Sequence, residues 1–170
     1  QASTKKQDFY VTSATPPADY FNSYTVEGSP GELTFTANQT VDSTTGWLKI
    51  QYPATDQTNI SGINKGNIVE AAGVKKGRNW RVKFDVFLET AADWTQGGAD
   101  NTTVTLTVVW GNRFFDVEVT PDTTTSVNTG IQTVAADNQN SLLIFFDGTD
   151  DLPESNAVFY IKNFEIQQGK

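Results

Sequence analysis

Four aromatic side chains stand among polar neighbours or at the end of an apolar run, where a ring can bind a ligand. They are Trp47, Trp94, Trp110 and Phe114. An exposed ring offers its flat face to the C–H side of a sugar, and nearby amides and carboxylates can fix the hydroxyl groups. The residue types therefore indicate carbohydrate recognition. The alternative for each ring is a core or strand-end position, a common use of large aromatic residues.

The neighbours of each ring set its expected direction. Trp47 lies opposite the apolar Leu48 in its segment, so we expect its ring to face outward or to line a cleft. Trp94 lies in a polar loop, and Trp110 ends an apolar run just before a Gly-Asn turn. Phe114 lies opposite the apolar side chains that follow it in alternation. All four are therefore candidate platforms for a ligand.

Polar groups that could accompany these rings lie on the long alternating segment 79–89. Arg81 and Asp85 share its polar face, and Gln51 lies on a comparable face of another segment. On a concave sheet, Arg81 and Asp85 could bind hydroxyl groups in pairs. The alternative is a solvated ladder of cross-strand charge pairs, which the alternation favours.

An acidic run near the carboxyl end has the oxygen density that a hard cation needs. Its carboxylates belong to Asp147, Asp150 and Asp151. The run lacks the ligand spacing of an EF-hand loop, and a turn rich in Asp and Gly commonly forms without metal. We therefore expect no cofactor and a metal-free turn, with calcium bound by this run as the alternative.

The residue types that are missing exclude much chemistry. The sequence has no His, no Cys and no Met. A Ser-His-Asp or Cys-His nucleophile and an ordinary structural zinc site are therefore excluded. Glycoside hydrolysis by two carboxylates remains open, but almost any acidic β-sandwich offers such a pair. We expect a protein that is not an enzyme.

The size and charge of the chain exclude further classes of protein. The chain has 170 residues and a formal net charge of −8, which suits one self-sufficient domain. An acidic balance opposes nucleic acid, since the phosphate backbone is bound by clustered Lys and Arg. No run approaches the roughly 20 apolar residues of a membrane span, and the longest candidate is 142–146. We expect neither a nucleic-acid partner nor a membrane span.

The elements that would position these residues are strands. From residue 33 onward, apolar and polar residues alternate with period two, and polar turns rich in Gly, Asn and Asp separate the segments. No helices are available for βαβ crossovers. The pattern predicts an all-β fold, a two-sheet antiparallel β-sandwich of the jelly-roll type.

The first 30 residues are less regular than the rest. We expect residues 1–30 to form an N-terminal arm with an opening edge strand near 8–12, and residues 31–170 to form the sandwich of a single domain. Three aromatic residues of this arm suggest a loop laid over the sandwich. They are Tyr20, Phe21 and Tyr24.

Two segments resemble the galactose-binding-like jelly rolls, which include carbohydrate-binding modules of secreted polysaccharide-degrading enzymes. Residues 72–87 read AGVKKGRNWRVKFDVF, similar to their glycine turn, aromatic residue and long alternating strand. Residues 158–166 read VFYIKNFEI, similar to their closing strand. The resemblance implies a non-catalytic module that binds a polysaccharide or glycan outside the cell. Lys162 replaces the Asp that helps bind calcium in many members, so that metal site is not expected here.

A structural role in a virus is the alternative. Residue 1 is not Met, which fits a processed product, either secreted or matured from a virion protein. Jelly rolls are frequent in virion shells, where an aromatic N-terminal arm could dock on a capsid or drive self-association. A trimer that dissociates when the arm is deleted would favour this alternative, whereas a monomer would favour the binding module.

Overall fold

The protein is described here from a computed structural model. The described residues are 9–14, 20–25, 32–65, 79–94, 103–110, 113–130, 132–133, 142–146 and 152–169. They form twelve strands and one 3₁₀ turn. In chain order these are β1 Phe9–Ala14, β2 Asn22–Thr25, β3 Thr34–Val41, β4 Thr44–Gln51, β5 Ser61–Lys65, β6 Asn79–Glu89, the 3₁₀ turn Ala91–Trp94, β7 Val104–Trp110, β8 Arg113–Val119, β9 Thr125–Asn128, β10 Gln132–Thr133, β11 Leu142–Phe146 and β12 Val158–Gly169.

The strands form two antiparallel sheets. One has seven strands, in which the order β10-β6-β12-β4-β3 is extended by β1 beside β12 and by β9 beside β6. The other has five strands in the order β2-β5-β11-β7-β8. Every strand pair is antiparallel; β3–β4 and β7–β8 pair as consecutive strands, whereas pairs such as β5–β11 and β6–β12 join distant parts of the sequence. The predicted two-sheet antiparallel β-sandwich is confirmed.

The core lies between the two sheets, where alternate side chains of each strand meet. Leu48 and Ile50 of β4 are fully buried, and so are Leu106 and Val108 of β7. The residues between them point to the outer faces of the sandwich, as alternation along a strand requires. Burial of the inward set from both sheets is therefore the main stabilising term of the fold.

The β3–β4 hairpin turns tightly at Asp42 and Ser43. Both residues have positive φ, 49° and 63°, as a two-residue type I′ turn requires. Just after the turn, the Thr44 hydroxyl donates a hydrogen bond to the carbonyl oxygen of Val41 at 2.9 Å. This hairpin fixes the start of β4 and thereby the position of Trp47.

The N-terminal segment belongs to the sandwich itself. β1 lies beside β12, close to the edge strand that the sequence predicts, and β2 pairs with β5 in the other sheet. Phe21 is buried in the core, where its ring contacts Tyr20 at 4.8 Å and Phe164 at 5.4 Å between centroids. Tyr24 lies within β2 and not in a loop. Phe21 lies in the bend just before β2, so its burial does not contradict a loop laid over the sandwich. The buried Phe21 ring is unavailable as an anchor for a neighbouring subunit.

Among the described residues, no helix has the length and apolar character of a membrane span.

Candidate functional site

The outer face of the five-stranded sheet carries the candidate site, and we call it the Phe114 face. The strand registers align one residue from each strand in a row across this face. That row consists of Tyr24, Gly62, Phe145, Thr107 and Asp116. With strands about 4.8 Å apart, the row is about 19 Å long.

A second row runs beside the first and ends in an exposed ring. It consists of Asn22, Asn64, Leu143, Val109 and Phe114. Phe114 is 74 % exposed and is the exposed large hydrophobic residue among those the structure describes. The exposure expected of Phe114 is therefore observed, and its role in binding stays a prediction. Amide groups lie at the opposite end of the same row.

Carboxylates line the edge of this face beside Phe114. The Thr107 hydroxyl donates a hydrogen bond to Asp116 Oδ1 at 2.8 Å, and the Thr105 hydroxyl donates one to Glu118 Oε1 at 2.9 Å. Each pair fixes one carboxylate oxygen and leaves the other able to accept a bond from a ligand. The edge therefore presents a ring and two oriented carboxylates on one strand.

The middle of the face is held together by two rings that meet above a glycine. Tyr24 and Phe145 flank Gly62 in the first row, and their ring centroids are 6.4 Å apart. A Cβ atom on Gly62 would lie 2.2 Å from the carbonyl oxygen of Ile144, a distance that real Cβ atoms do not show. The absent side chain thus allows β5 and β11 to approach closely.

Two side chains in the middle of this face are buried although they point away from the core. Thr107 is 3 % exposed and Phe145 is 5 % exposed, and Phe145 does not belong to the cluster between the sheets. The Phe114 face thus has a covered middle and an open edge. The contacts available to a ligand are concentrated at the β8 edge.

The exposure predicted for Trp47 is wrong. Trp47 does lie on the outer face of its sheet, but it is only 2 % exposed because neighbouring strands bury it in a small apolar cluster with Val41, Val158, Tyr160 and Phe87. Its indole N–H donates a hydrogen bond to the Thr44 hydroxyl at 2.8 Å. Neither face of the ring is open to a sugar.

The exposure predicted for Trp94 is also wrong. The 3₁₀ turn carries Trp94 into the end of the core, where it is 1 % exposed and contacts Tyr52, Phe146 and Phe159. Its indole N–H donates a hydrogen bond to the carbonyl oxygen of Glu89 at 3.1 Å. Because a 3₁₀ turn replaces the predicted open loop, the ring points inward and closes one end of the sandwich.

Arg81 and Asp85 of β6 form hydrogen bonds with side chains of neighbouring strands. Arg81 Nε donates a hydrogen bond to Gln167 Oε1 at 2.5 Å. The Asp85 carboxylate accepts hydrogen bonds from the Ser126 hydroxyl at 2.8 Å and from Asn163 Nδ2 at 2.9 Å. Four residues of strand place the Cα atoms of Arg81 and Asp85 about 13 Å apart. These bonds fit the alternative of a ladder of cross-strand polar pairs, and the binding of hydroxyl groups by Arg81 and Asp85 stays a prediction.

Gln51 lies apart from the Phe114 face. It is half-buried at the end of β4, in register with Val158 of β12 and Thr34 of β3, in the seven-stranded sheet. The sequence-predicted residues are thus divided between opposite sides of the sandwich. Phe114 is on one side, and Trp47, Arg81, Asp85 and Gln51 are on the other.

Two further predictions fall on parts that the structure does not describe. Trp110 is the last residue of β7, and its side chain lies outside the described part. Asp147, Asp150 and Asp151 of the predicted calcium site also lie outside it. Within the described ranges, no group of three or more acidic side chains is arranged to hold a metal ion. The calcium site stays a prediction.

Sequence reasoning missed several residues of the Phe114 face. Thr107, Phe145 and Asn64 come together there, although they are far apart in sequence. The segment 142–146 did carry a signal, because five consecutive apolar residues depart from period-two alternation. Such a run is typical of a strand with both faces covered. It therefore indicated that the outer face near Phe145 is also buried.

Charge and burial shift the ionisation of two tyrosines in opposite parts of the molecule. Burial raises the pKa of Tyr52, whose hydroxyl donates to the carbonyl oxygen of Ser61 at 3.0 Å in the core. Burial, together with its bond to the Glu89 carboxylate at 2.6 Å, raises the pKa of Tyr160 on the outer face of the seven-stranded sheet. Both hydroxyls therefore stay protonated above the ordinary tyrosine range.

The chain resembles known proteins in its fold but not in its sequence. No family model and no curated protein matches the chain. An arabinose-bound MgGH51 α-L-arabinofuranosidase matches 88 % of this chain with a TM-score of 0.55 and 11 % identity, and the match covers 23 % of that enzyme chain.

Two smaller proteins also align over most of this chain. The C-terminal family 22 carbohydrate-binding module of Clostridium thermocellum Xyn10B has a TM-score of 0.48 and 10 % identity, covering 87 % of this chain and 84 % of its own. A xylan-binding domain of family 22 has a TM-score of 0.49 and 11 % identity, covering 89 % and 86 %. The two antiparallel sheets and the arabinofuranosidase match confirm the predicted fold: the chain is a jelly-roll β-sandwich.

Proposed function

We propose that the protein is a non-catalytic module that binds a polysaccharide or glycan on the Phe114 face. The observation that carries the proposal is the exposed ring of Phe114, which stands beside the hydrogen-bonded carboxylates of Asp116 and Glu118. Ring stacking on the C–H side of a sugar with hydroxyl hydrogen bonds at its rim is the chemistry that this edge can offer.

The arrangement suits a ligand that lies along the β8 edge, since the middle of the face is covered. Phe114 would stack with one sugar unit at the β8 edge, and Asp116 would accept a hydrogen bond from one of its hydroxyl groups through the oxygen that Thr107 leaves free. Glu118 follows on the same edge, where its second oxygen can accept a hydrogen bond from a neighbouring sugar unit. A rigid sheet holds these groups in place before binding, so little conformational entropy is lost.

We infer that no bond is broken at this surface. Glycoside hydrolysis needs two carboxyl groups on opposite sides of the scissile bond. Asp116 and Glu118 are two residues apart on one strand and face the same side, and each is tied to a threonine of β7. They can orient a sugar from one side only.

The proposed ligand indicates where the protein is located. Polysaccharides that such a module would bind occur outside cells, so we infer a secreted or surface-exposed protein. The structural neighbours include modules whose names give carbohydrate binding and xylan binding. Their names suggest useful probes for this chain.

The test is calorimetric titration of the protein with soluble polysaccharides that include xylan, arabinoxylan and β-1,4-galactan. Phe114→Ala should weaken binding of the best ligand at least tenfold, about 1.4 kcal/mol, whereas Phe114→Tyr should keep most of the affinity because the ring remains. Phe114→Leu separates the ring face from mere apolar contact and should resemble Phe114→Ala.

Phe87→Leu serves as the control, since Phe87 is a half-buried ring on the opposite side of the sandwich. It should leave binding unchanged. Absence of binding to the whole panel, or equal affinity of the wild type and Phe114→Ala, would overturn the proposal.

A further inference from the structure

A polar cleft opens on the opposite side of the sandwich, on the outer face of the seven-stranded sheet, and we call it the Asn163 cleft. It lies between β6, β9 and β12 and has a volume of about 450 Å³. Its polar side chains come from Lys83 and Asp85 of β6, Ser126 and Asn128 of β9, and Asn163 and Glu165 of β12. This volume is within the range of small-molecule sites in proteins.

A bulge in β12 creates the cleft. The pairing between β12 and β6 shifts register between Lys162 and Glu165, and Asn163 has a φ of 55° at that point. Asn tolerates this left-handed conformation better than most residues. The bulge bends β12 locally and turns the Asn163 amide toward Asp85, to which it donates a hydrogen bond at 2.9 Å.

An ammonium group lies between the carboxylates of the cleft. The Lys83 ammonium group forms no hydrogen bond or ion pair within the described part of the chain, although it lines the cleft. Glu165 is its register partner on β12, and Asp85 follows two residues along the same face of β6. Ser126 and Asn163 hold the two oxygens of Asp85, so this carboxylate keeps its orientation before any ligand arrives.

The chemistry of the cleft differs from that of the Phe114 face. Its lining contains no exposed ring, so a ligand cannot stack there. An ammonium flanked by two carboxylates instead matches adjacent hydroxyl groups, each of which can accept from Lys83 and donate to Asp85 or Glu165. A charged anion would meet two carboxylates, and an apolar ligand would leave the charged groups unpaired.

We propose that the Asn163 cleft is a second ligand site, which binds one sugar unit or a similar polyol through hydroxyl hydrogen bonds alone. The assignment of the ligand class rests on the proposed function of the Phe114 face. The two sites lie on opposite outer faces of the sandwich, so one molecule would contact two polysaccharide chains. Binding to both would add avidity that neither site gives alone.

The first test maps binding by two-dimensional amide NMR during titration with xylose and then xylohexaose. We expect shifts of Lys83, Asp85, Asn128 and Asn163 with both ligands, and these shifts should persist in Phe114→Ala. Lys83→Met should weaken this set of shifts at least fivefold. Lys49→Met is the matched control, because Lys49 lies on the same outer face but outside the cleft, and it should change nothing.

The second test measures cross-linking as turbidity with a soluble high-molecular-weight xylan. The wild type should raise turbidity, and Lys83→Met and Phe114→Ala should each abolish the increase, since each leaves one site per molecule. Glucose and galactose with their matching oligosaccharides replace the xylose series if xylan is not the ligand found by calorimetry.

The outcomes separate the two proposals. Shifts confined to the Phe114 face would overturn the second site and leave the proposed function intact. Shifts confined to the Asn163 cleft would support the second site and overturn the role of the Phe114 face. Absence of shifts at both places would overturn both.

Discussion

The two outer faces of the sandwich carry aromatic residues that differ in exposure to solvent. On the seven-stranded sheet, Trp47 is 2 % exposed because Tyr160 and Val158 pack beside it. On the five-stranded sheet, Phe114 is 74 % exposed. Both residues point away from the core by the same alternation, so direction alone does not decide whether a ring is available to a ligand.

The difference comes from the place of each strand in its sheet. β4 lies between β3 and β12, so Trp47 has neighbours on both sides, and Lys162 also stands 5.7 Å from its ring centroid. Among the described strands, β8 is an edge strand with β7 on one side, so the direct cross-strand neighbour of Phe114 in this set is Val109. A ring on an edge strand keeps one side open. This explains why the same sequence pattern gives an outer cluster on one face and a platform on the other.

Removal of the buried Trp47 ring is the strongest test of the contrast between Trp47 and Phe114. Trp47→Ala should lower the free energy of unfolding by about 3 kcal/mol, because it leaves a cavity under the outer cluster and removes the bond to Thr44. Urea unfolding followed by circular dichroism measures the change. Phe114→Ala, measured alongside, should change stability by less than about 0.5 kcal/mol. Equal losses in the two variants would show that both rings have the same role.

The covered middle of the Phe114 face is tested by Gly62→Ala. The new Cβ would lie 2.2 Å from the carbonyl oxygen of Ile144 and 2.7 Å from Phe145 Cα, so β5 and β11 must separate. We expect the free energy of unfolding, measured by thermal denaturation, to fall by about 2 to 3 kcal/mol.

Gly130→Ala is the control for this change. Gly130 has a φ of 70°, but no atom lies within 4 Å of the position that the new methyl group would take. Its substitution should therefore cost only about 1 kcal/mol of backbone strain. A smaller loss for Gly62→Ala than for Gly130→Ala would contradict the close approach of β5 and β11.

The smallest expected effect concerns Tyr160 on the opposite face. Tyr160→Phe removes the bond to Glu89 and should cost about 1 kcal/mol at pH 7. The unfolded chain releases this phenolic proton near pH 10.0, whereas the folded chain holds it to a higher pH. Between these values the native state binds more protons, so stability falls as the pH rises.

Unfolding of the wild type and Tyr160→Phe between pH 9 and 11.5 measures this slope. The variant should lose stability less steeply above pH 10, while Tyr52 contributes equally to both proteins. A steeper decline in the variant would contradict the bond between the Tyr160 hydroxyl and the Glu89 carboxylate.

Alternation in the sequence predicted the strands because it reports which side of a strand is buried. β6 carries its apolar residues Val82, Phe84, Val86 and Leu88 at every second position, and all four are in the core. Local pattern also placed Phe114 on the outer side of its strand. Strand position and side-chain direction depend on residues two positions apart, so they can be read from the local sequence.

Other features depend on partners that lie far along the chain. The burial of Trp47 requires Tyr160, more than one hundred residues later, and the Phe114 face brings Thr107 beside Phe145. The 3₁₀ turn that directs Trp94 inward is stabilised by Asp122, whose carboxylate accepts bonds from the backbone N–H groups of Thr90 and Ala91. No spacing in the sequence specifies these long-range contacts, so the exposed fractions of Trp47 and Trp94 could not be predicted.

The position of β12 has a consequence for how the chain is made. This last strand pairs with β6 along one side and with β4 and β1 along the other, so its register extends from Val158 through Gly169 against residues as early as Phe9. During synthesis on a ribosome, β1, β4 and β6 would have unpaired edges until β12 had emerged. Folding dominated by such long-range pairing is slow, and synthesis of the protein should therefore benefit from chaperones that shield unfinished sheets.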